Sequence, residues 1–309
     1  MKISKKQFIV YLVICFVLSW AFMLLGSIQY MHNSNNTILT RCLSVAMFMP
    51  AVAAIICNKG FKGIRFKPKF KGRLKEYLNA FFMPAILTLI GGLIFYLIFP
   101  NQYRDVYETI AATTGIGYEE KIPSWLVIVL ASLISGVVIG ILNAFLAIGE
   151  ELGWRGYMYV YLKEKFGITK GRVIGGAIWG IWHFPPMILV GYEYGSDYIG
   201  APFLGLITFT LFTISTGIIL DHLYSNNQSI ILPSIYHGGV NAVLGIIQLC
   251  WNYEYLRYSI LGPSSNGLIA MIPVIGFAIY LSVKDEKAVK MVNAKNDNDI
   301  NLDEEVPNI

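Results

Sequence analysis

Long apolar runs separated by short polar segments recur along almost the whole chain. Each run has about 18 residues or more, which is enough for an α-helix to cross a hydrocarbon core of about 30 Å. The runs are continuous and lack the short alternating pattern of a membrane β-barrel. Predicted spans lie near residues 8–28, 39–57, 78–99, 124–149, from 171 onward, 201–220, 229–250 and 264–283. The pattern predicts an all-α, polytopic helical membrane protein with about eight transmembrane helices.

The polar segments between these runs suggest four parts. Residues 1–123 hold N-terminal transmembrane helices and a basic loop, 124–245 a central core, and 246–283 a C-terminal transmembrane helix. Residues 284–309 form a charged tail with few apolar residues, for which disorder is predicted. The most basic stretch lies between residues 59 and 75. By the positive-inside rule this loop is cytoplasmic, and so are both termini of a multi-pass protein in the cell membrane.

Composition agrees with a membrane protein. The 309 residues are 55% hydrophobic and 14% charged, far from the average of soluble domains. The net charge of +5 comes from basic residues in loops beside the spans, so it indicates orientation in the membrane and contact with lipid, not nucleic-acid binding. The four cysteines form no C-x-x-C pair, so neither a disulfide framework nor a zinc-thiolate site is predicted.

Two adjacent carboxylates, Glu150 and Glu151, directly follow the fourth predicted span. A charge at bilayer depth costs roughly 2.5 to 3.5 kcal/mol, so an acid pair there indicates a functional site. On a helix, Arg155 lies one turn after Glu151 and can neutralise it, whereas Glu150 points about 100° away. This spacing leaves Glu150 available for chemistry. A plainer interpretation is that the pair caps a span end at the level of the headgroups.

Three further polar residues lie in other predicted spans, His183 in the fifth and His237 with Asn241 in the seventh. Because polar groups in hydrocarbon need partners, we expect them to converge with Glu150 in one cavity. His237 and Asn241 are four residues apart and therefore share a helix face. Taken singly, each residue also fits interhelical hydrogen bonding. Their combination favours a catalytic site.

A carboxylate with two imidazoles supports two chemistries. Glu150, His183 and His237 resemble the two-histidine, one-carboxylate set that holds a divalent metal such as zinc and leaves a position open for water. Without a metal, Glu150 acts as general base on a water with help from His183, while His237 and Asn241 donate to the oxyanion. Both routes end in hydrolysis of a polar bond, most naturally a peptide bond.

Sequence motifs of several other enzyme classes are absent. The chain has no H-E-x-x-H zinc motif, no G-x-S-x-G around a serine nucleophile and no G-x-x-x-x-G-K-[ST] phosphate-binding loop. The sequence therefore argues against a zincin, a serine hydrolase of that type and an ATP-driven pump.

Three motifs on three spans together resemble the CPBP family. They are Glu150-Glu151-x-x-x-Arg155, Trp179 four residues before His183, and His237-x-x-x-Asn241. That family comprises intramembrane proteases related to the type II CAAX prenyl endopeptidases and to bacteriocin-processing, immunity and lysostaphin-resistance-like proteins. The resemblance covers roughly residues 124 to 245. The second motif commonly has Phe where this chain has Trp179, and we expect this exchange to alter the shape of the pocket without removing the chemistry.

The resemblance implies a helical core with a cavity open to the cytoplasm. It also implies an endopeptidase that acts on a membrane-associated, prenylated or leader-peptide substrate. By the match of motifs, Glu150 and His183 activate a water and His237 and Asn241 stabilise the oxyanion. Glu151, Arg155 and Trp179 shape the site. The family is described both as metalloproteases and as glutamate-dependent enzymes, so the zinc-bound and metal-free routes both stay open.

Two other functions fit the same residues. A non-proteolytic immunity or scaffold protein would act by binding, and Glu150→Gln would leave its phenotype unchanged. A proton-coupled transporter would use the Glu and His groups as a proton relay. The sequence shows no internal repeat of the kind that marks many transporters.

Overall fold

The computed structural model describes residues 2–34, 36–115 and 122–304. Regular structure in these ranges is helical, and extended pairing is limited to one isolated bridge between Tyr103 and Trp251. The predicted all-α class is confirmed.

The described part of the chain contains twelve α-helices. The first six are α1 (Lys5–Asn33), α2 (Asn36–Ala46), α3 (Met49–Asn58), α4 (Leu74–Ile98), α5 (Val106–Thr114) and α6 (Ser124–Gly153). The other six are α7 (Tyr159–Phe166), α8 (Ile168–Trp182), α9 (Phe184–Val190), α10 (Phe203–Asn227), α11 (Ile231–Val243) and α12 (Ile272–Glu304). Short 3₁₀ turns cover Pro100–Gln102, Ile247–Cys250 and Tyr253–Tyr258.

Six helical segments among the described residues are long and apolar enough to cross a membrane. They are Lys5–Asn33, Asn36–Asn58, Leu74–Ile98, Ser124–Phe166, Ile168–Val190 and Phe203–Asn227. The chain is thus a polytopic helical membrane protein, but the predicted count of about eight spans is too high by this criterion. The helix α11 has only 13 residues, which is about 20 Å of helix. The helix α12 begins at Ile272 and reaches Lys284 and Asp285 within its first four turns.

The outer surface of the bundle carries large apolar side chains. Val17, Leu97 and Phe203 are 62%, 73% and 73% exposed. Such side chains are favourable against lipid tails, whereas an extended apolar surface is avoided by soluble monomers. The surface therefore agrees with the membrane class.

The fourth predicted span, 124–149, is too short. The helix α6 continues through a π-helical turn, Trp154–Met158, into α7, so the acid pair lies within a continuous helical segment and not at its end. Gly153 lets this segment pass close to α3, because a Cβ at that position would lie 2.4 Å from the Cβ of Pro50. A π-turn inside an α-helix is frequent at functional sites.

Glycines bring α6 and α11 into direct backbone contact. A Cβ on Gly238 would lie 2.2 Å from the carbonyl oxygen of Gly140, and a Cβ on Gly140 would lie 3.0 Å from the Cα of Gly239. Small residues permit this close approach between membrane helices. The approach brings His237 on α11 beside the acid pair on α6.

A buried ion cluster ties α7, α8, α10 and α12 together away from this contact. Asp221 lies 2.6 Å from Lys163 Nζ and 2.7 Å from Arg172 Nε, and Arg172 Nη1 lies 2.8 Å from Asp285. The charged tail after residue 284, for which the sequence predicts disorder, continues α12 as far as Glu304.

Candidate active site

Glu150 is a buried carboxylate held by two indoles. Its side chain is 2% exposed. Trp154 Nε1 donates to Glu150 Oε2 at 3.1 Å, and Trp179 Nε1 donates to the same oxygen at 2.7 Å. The first bond follows from helical geometry, since Trp154 lies one turn after Glu150. Both indoles bind Oε2, so Oε1 is the oxygen left for a molecule in the adjoining cavity.

Glu151 lies at the centre of a buried ion group. Arg155 Nη1 donates to Glu151 Oε1 at 2.9 Å, which is the contact that the four-residue spacing predicts. His237 Nδ1 lies 2.8 Å from the same oxygen. Glu151 and Arg155 are fully buried and His237 is 4% exposed. His237 therefore contacts Glu151 directly, whereas the sequence hypotheses grouped it with Glu150.

Two aromatic rings cover the Arg155 guanidinium. Its Cζ lies 4.7 Å from the ring centre of Tyr159 and 4.8 Å from that of Trp179. A cation over an aromatic face is stabilised by the ring quadrupole, most strongly where water is excluded. The guanidinium charge is thus stabilised by the Glu151 carboxylate and by the faces of the two rings.

His183 lies at the junction of α8 and α9. Its Nδ1 donates to the carbonyl oxygen of Trp179 at 2.9 Å. The ring packs edge-on against Trp182 and Phe209, with centroids 4.7 and 4.8 Å away. The helix breaks at His183, and Pro185 and Pro186 lie in the first turn of α9. Because a carbonyl only accepts, Nδ1 carries the proton and Nε2 of the neutral ring is an acceptor.

One cavity brings the four predicted catalytic residues together. Glu150, His183, His237 and Asn241 all line it, and it offers about 80 Å³ to the centres of water-sized molecules. A single water needs roughly 10 to 15 Å³ by this measure, so the cavity has room for several. Asn241 is exposed to this space one helical turn after His237.

The cavity lies well away from the basic end of the bundle. At that end Gln7 contacts Cys57, Asn227 contacts Lys69 and Ile230 contacts Arg65. Met23, Phe212 and Asn241 line the cavity from the same three helices. At 1.5 Å per residue they lie roughly 16 to 24 Å from those basic-end contacts.

The central part of the chain matches a known protein family. Residues 124–243 match the family model described as Rce1-like, type II CAAX prenyl endopeptidase. The family resemblance predicted from the three motifs is thereby confirmed. The chain is also similar to CAAX prenyl protease 2 of Methanococcus maripaludis, with 34% identity over 93 residues. That match covers 30% of this chain, and the chain spans about a third (34%) of the length of the relative.

The Rce1-like segment contains the four predicted catalytic residues, and other parts of the chain complete the cavity. Met23 of α1 with Leu43 and Met47 of the α2–α3 region supply apolar walls. The preceding helices thus contribute directly to the shape of the site, although they lie outside the matched segment.

Trp179 marks a departure from the family pattern that has a polar consequence. The sequence predicts a change of pocket shape at this position. In the structure its indole N–H donates to Glu150, and a phenyl ring has no such donor. The chain therefore adds a hydrogen bond to its buried carboxylate.

Donor atoms of the predicted zinc set have partners within the protein. Among the described residues, no group of three or more His, Cys, Asp or Glu side chains is arranged to hold a metal ion. His237 Nδ1 is held by Glu151, and Glu150 Oε2 accepts from two indoles. Zinc binding by Glu150, His183 and His237 stays a prediction.

Two residues near the cavity were not singled out from the sequence. Trp154, four residues after Glu150, has a spacing that could have identified it. Glu193, in the segment between α9 and α10, lines the cavity and is partly buried. Burial raises its pKa to about 7, although hydrogen bonds from Asn266 and Tyr192 oppose the shift. No local pattern signals this position, because it depends on how the segment after α9 folds back.

Proposed function

We propose that this protein is an intramembrane endopeptidase that hydrolyses a peptide bond of a membrane-associated peptide or protein. The observation that carries the proposal is the position of Glu150. It is buried, fixed through one oxygen by two indoles, and lines one cavity with His183, His237 and Asn241. This set contains a base, a second proton acceptor and two donors, which are the groups that amide hydrolysis requires.

In the first step a water molecule binds between Glu150 and His183. Glu150 Oε1 takes one proton from the water, and His183 Nε2 accepts a hydrogen bond from the other. The water oxygen forms a bond to the carbonyl carbon of the peptide. The π electrons of the C=O bond move to its oxygen, which becomes an oxyanion.

His237 and Asn241 stabilise that oxyanion. The Asn241 amide donates from Nδ2. Since Glu151 is paired with Arg155, it is a carboxylate that accepts from His237 Nδ1. His237 can then donate from Nε2 only when both ring nitrogens are protonated.

The second step breaks the C–N bond. The oxyanion electrons re-form C=O, and the leaving nitrogen takes the proton that Glu150 received from water. The products are a new carboxylic acid and a new amine. Giving up that proton makes Glu150 a carboxylate again, and the new acid loses its own proton to solvent, so the cycle can repeat.

A cleavage assay tests this function. Purified protein in detergent is incubated with a fluorogenic peptide library, and wild type is compared with Glu150→Gln, His183→Gln and the exposed-site control Glu254→Gln. Removing a general base lowers kcat by about 10²- to 10⁴-fold, so both cavity variants should lose cleavage while the control keeps it. A parallel arm with a chelator tests the zinc route. Equal cleavage by wild type and Glu150→Gln would contradict the proposal and favour binding or transport.

A further inference from the structure

Two glutamates line the cavity. Glu150 and Glu193 both line it, and its lining within the described residues includes neither Lys nor Arg. Arg155 is the nearby cation, but it is fully buried, paired with Glu151 and covered by two rings. Any charged group that enters the cavity therefore meets two carboxyl groups.

Glu193 is held in place from a distant part of the chain. Asn266 Nδ2 donates to Glu193 Oε2 at 2.7 Å, and Asn266 is 4% exposed. The Tyr194 hydroxyl donates to the backbone carbonyl of Asn266 at 2.7 Å. The carboxyl group is thus held by Asn266 and Tyr192 at the side of the cavity formed by the segment between α9 and α10.

Aromatic and apolar side chains line the same cavity as the two glutamates. Tyr192, Trp182 and Phe209 supply rings, and Met23 and Leu43 supply aliphatic surface. An aliphatic stem packs well on such surfaces while its cationic head binds a carboxylate or a ring face. This combination suits the side chain of lysine or arginine.

We propose that Glu193 is a specificity-determining residue that binds a lysine or arginine side chain of the peptide substrate close to the scissile bond. The inference rests on the proposed function, because it assumes that the cavity receives a peptide. It predicts substrates with a basic residue beside the cleaved bond.

Binding of hydrolysis-resistant peptides separates this inference from catalysis. Two amidated peptides with a reduced scissile amide carry either arginine or its uncharged isostere citrulline. Their Kd values for the full chain in detergent are measured by calorimetry. We expect wild type to bind the arginine peptide about tenfold more tightly, a typical effect for a partly desolvated ion pair. Glu193→Gln should reduce the ratio to within about twofold, and the exposed control Glu254→Gln should retain it.

A second pair of variants separates the effect of the lost charge from an effect of misfolding. Glu193 has a φ of +80°, a conformation that Asp and Asn tolerate better than most residues. Glu193→Asp and Glu193→Asn differ in charge alone, so only the first should keep a preference for arginine. Equal binding of both peptides by wild type, no binding of either, or a preference that survives in Glu193→Asn would overturn the inference. A preference in a protein that cleaves nothing would contradict the proposed function and not the role of Glu193.

Discussion

Trp179 donates its indole N–H to Glu150 Oε2 over 2.7 Å, across the interface between α8 and α6. Burying a carboxylate without hydrogen-bond donors costs free energy. Here the donor is Trp179, which lies one helical turn before His183 and binds the proposed general base, Glu150. The two motifs that carry Glu150 and His183 are therefore physically linked through Trp179.

Trp179→Phe tests the contribution of this hydrogen bond. The ring is kept, and Trp154 still donates to the same oxygen, so the protein should fold. A hydrogen bond to a charged group is worth about 1.5 to 3 kcal/mol, which predicts a fall in kcat of roughly ten- to a hundredfold. The measurement is kcat and KM on the best library peptide, with the unfolding midpoint as a check. Unchanged kcat in Trp179→Phe would mean that Trp154 alone positions the carboxylate.

The glycine contact between α6 and α11 supports a second prediction. In Gly238→Ala the new Cβ would lie 2.2 Å from the carbonyl oxygen of Gly140, so the helices must separate. Such overpacking costs about 1 to 3 kcal/mol, and the shift also moves His237 away from Glu151. We expect a lower unfolding temperature and loss of cleavage.

Gly245→Ala is the matched control for that experiment. A Cβ at Gly245 meets no atom within 4 Å, so the same substitution there should change neither property. If both variants behaved like wild type, the close approach of α6 and α11 would not be needed to position His237.

Local spacing accounts for what the sequence predicts correctly. The Glu151–Arg155 contact follows from one helical turn, and the meeting of Glu150, His183, His237 and Asn241 follows from the cost of isolated polar groups in hydrocarbon. Continuous apolar runs likewise identify the helical class. Each of these inferences uses a rule that operates within one helix or on all spans alike.

Long-range packing explains what the sequence does not reveal. The Glu151–His237 contact depends on the register between α6 and α11, which is fixed where Gly140 meets Gly238. The position of Glu193 depends on Asn266, 73 residues further along the chain. The end of the fourth span was misplaced because the helix continues through a π-turn into a polar segment, which hydropathy alone treats as a loop.

The pKa of Glu193 predicts a pH-dependent stability. Burial raises that pKa from its usual 4.5 to about 7, so the folded protein holds this proton more tightly than the unfolded chain does. Stability from this group is therefore present below pH 4.5 and is lost as the pH rises through the interval to about 7. Asn266 and Tyr192 donate hydrogen bonds to this carboxyl group and lower its pKa, so the net rise comes from burial.

Thermal unfolding of wild type and Glu193→Gln between pH 5 and pH 8 isolates this contribution. The Gln variant does not titrate, so its midpoint should rise relative to wild type as the pH increases, and Glu254→Gln should show no such trend. A difference between wild type and Glu193→Gln that stays constant with pH would show that Glu193 titrates outside this interval.

The distance of the cavity from the basic end of the bundle makes the orientation of the chain in the membrane decisive for the kind of substrate. The basic segment at residues 59–75 predicts that its end of the bundle is cytoplasmic. The cavity lies roughly 16 to 24 Å from contacts at that end, nearer the segment with Glu193 that joins α9 to α10. The family resemblance implies instead a cavity open to the cytoplasm. Loop charge and family resemblance therefore predict opposite orientations for the segment that contains Glu193.

Cysteine labelling in intact cells distinguishes the two orientations. Single cysteines at Lys71 and at Asp197 are introduced into a variant without native cysteines and treated with a membrane-impermeant maleimide. We expect Asp197→Cys to react from outside and Lys71→Cys only after permeabilisation, because the positive-inside rule applies to short loops beside spans. The reverse pattern would place the cavity on the cytoplasmic side and make the basic end external. Substrates would then have to be sought among cytoplasmic peptides, whereas the expected pattern directs the search to peptides that reach the outer half of the membrane.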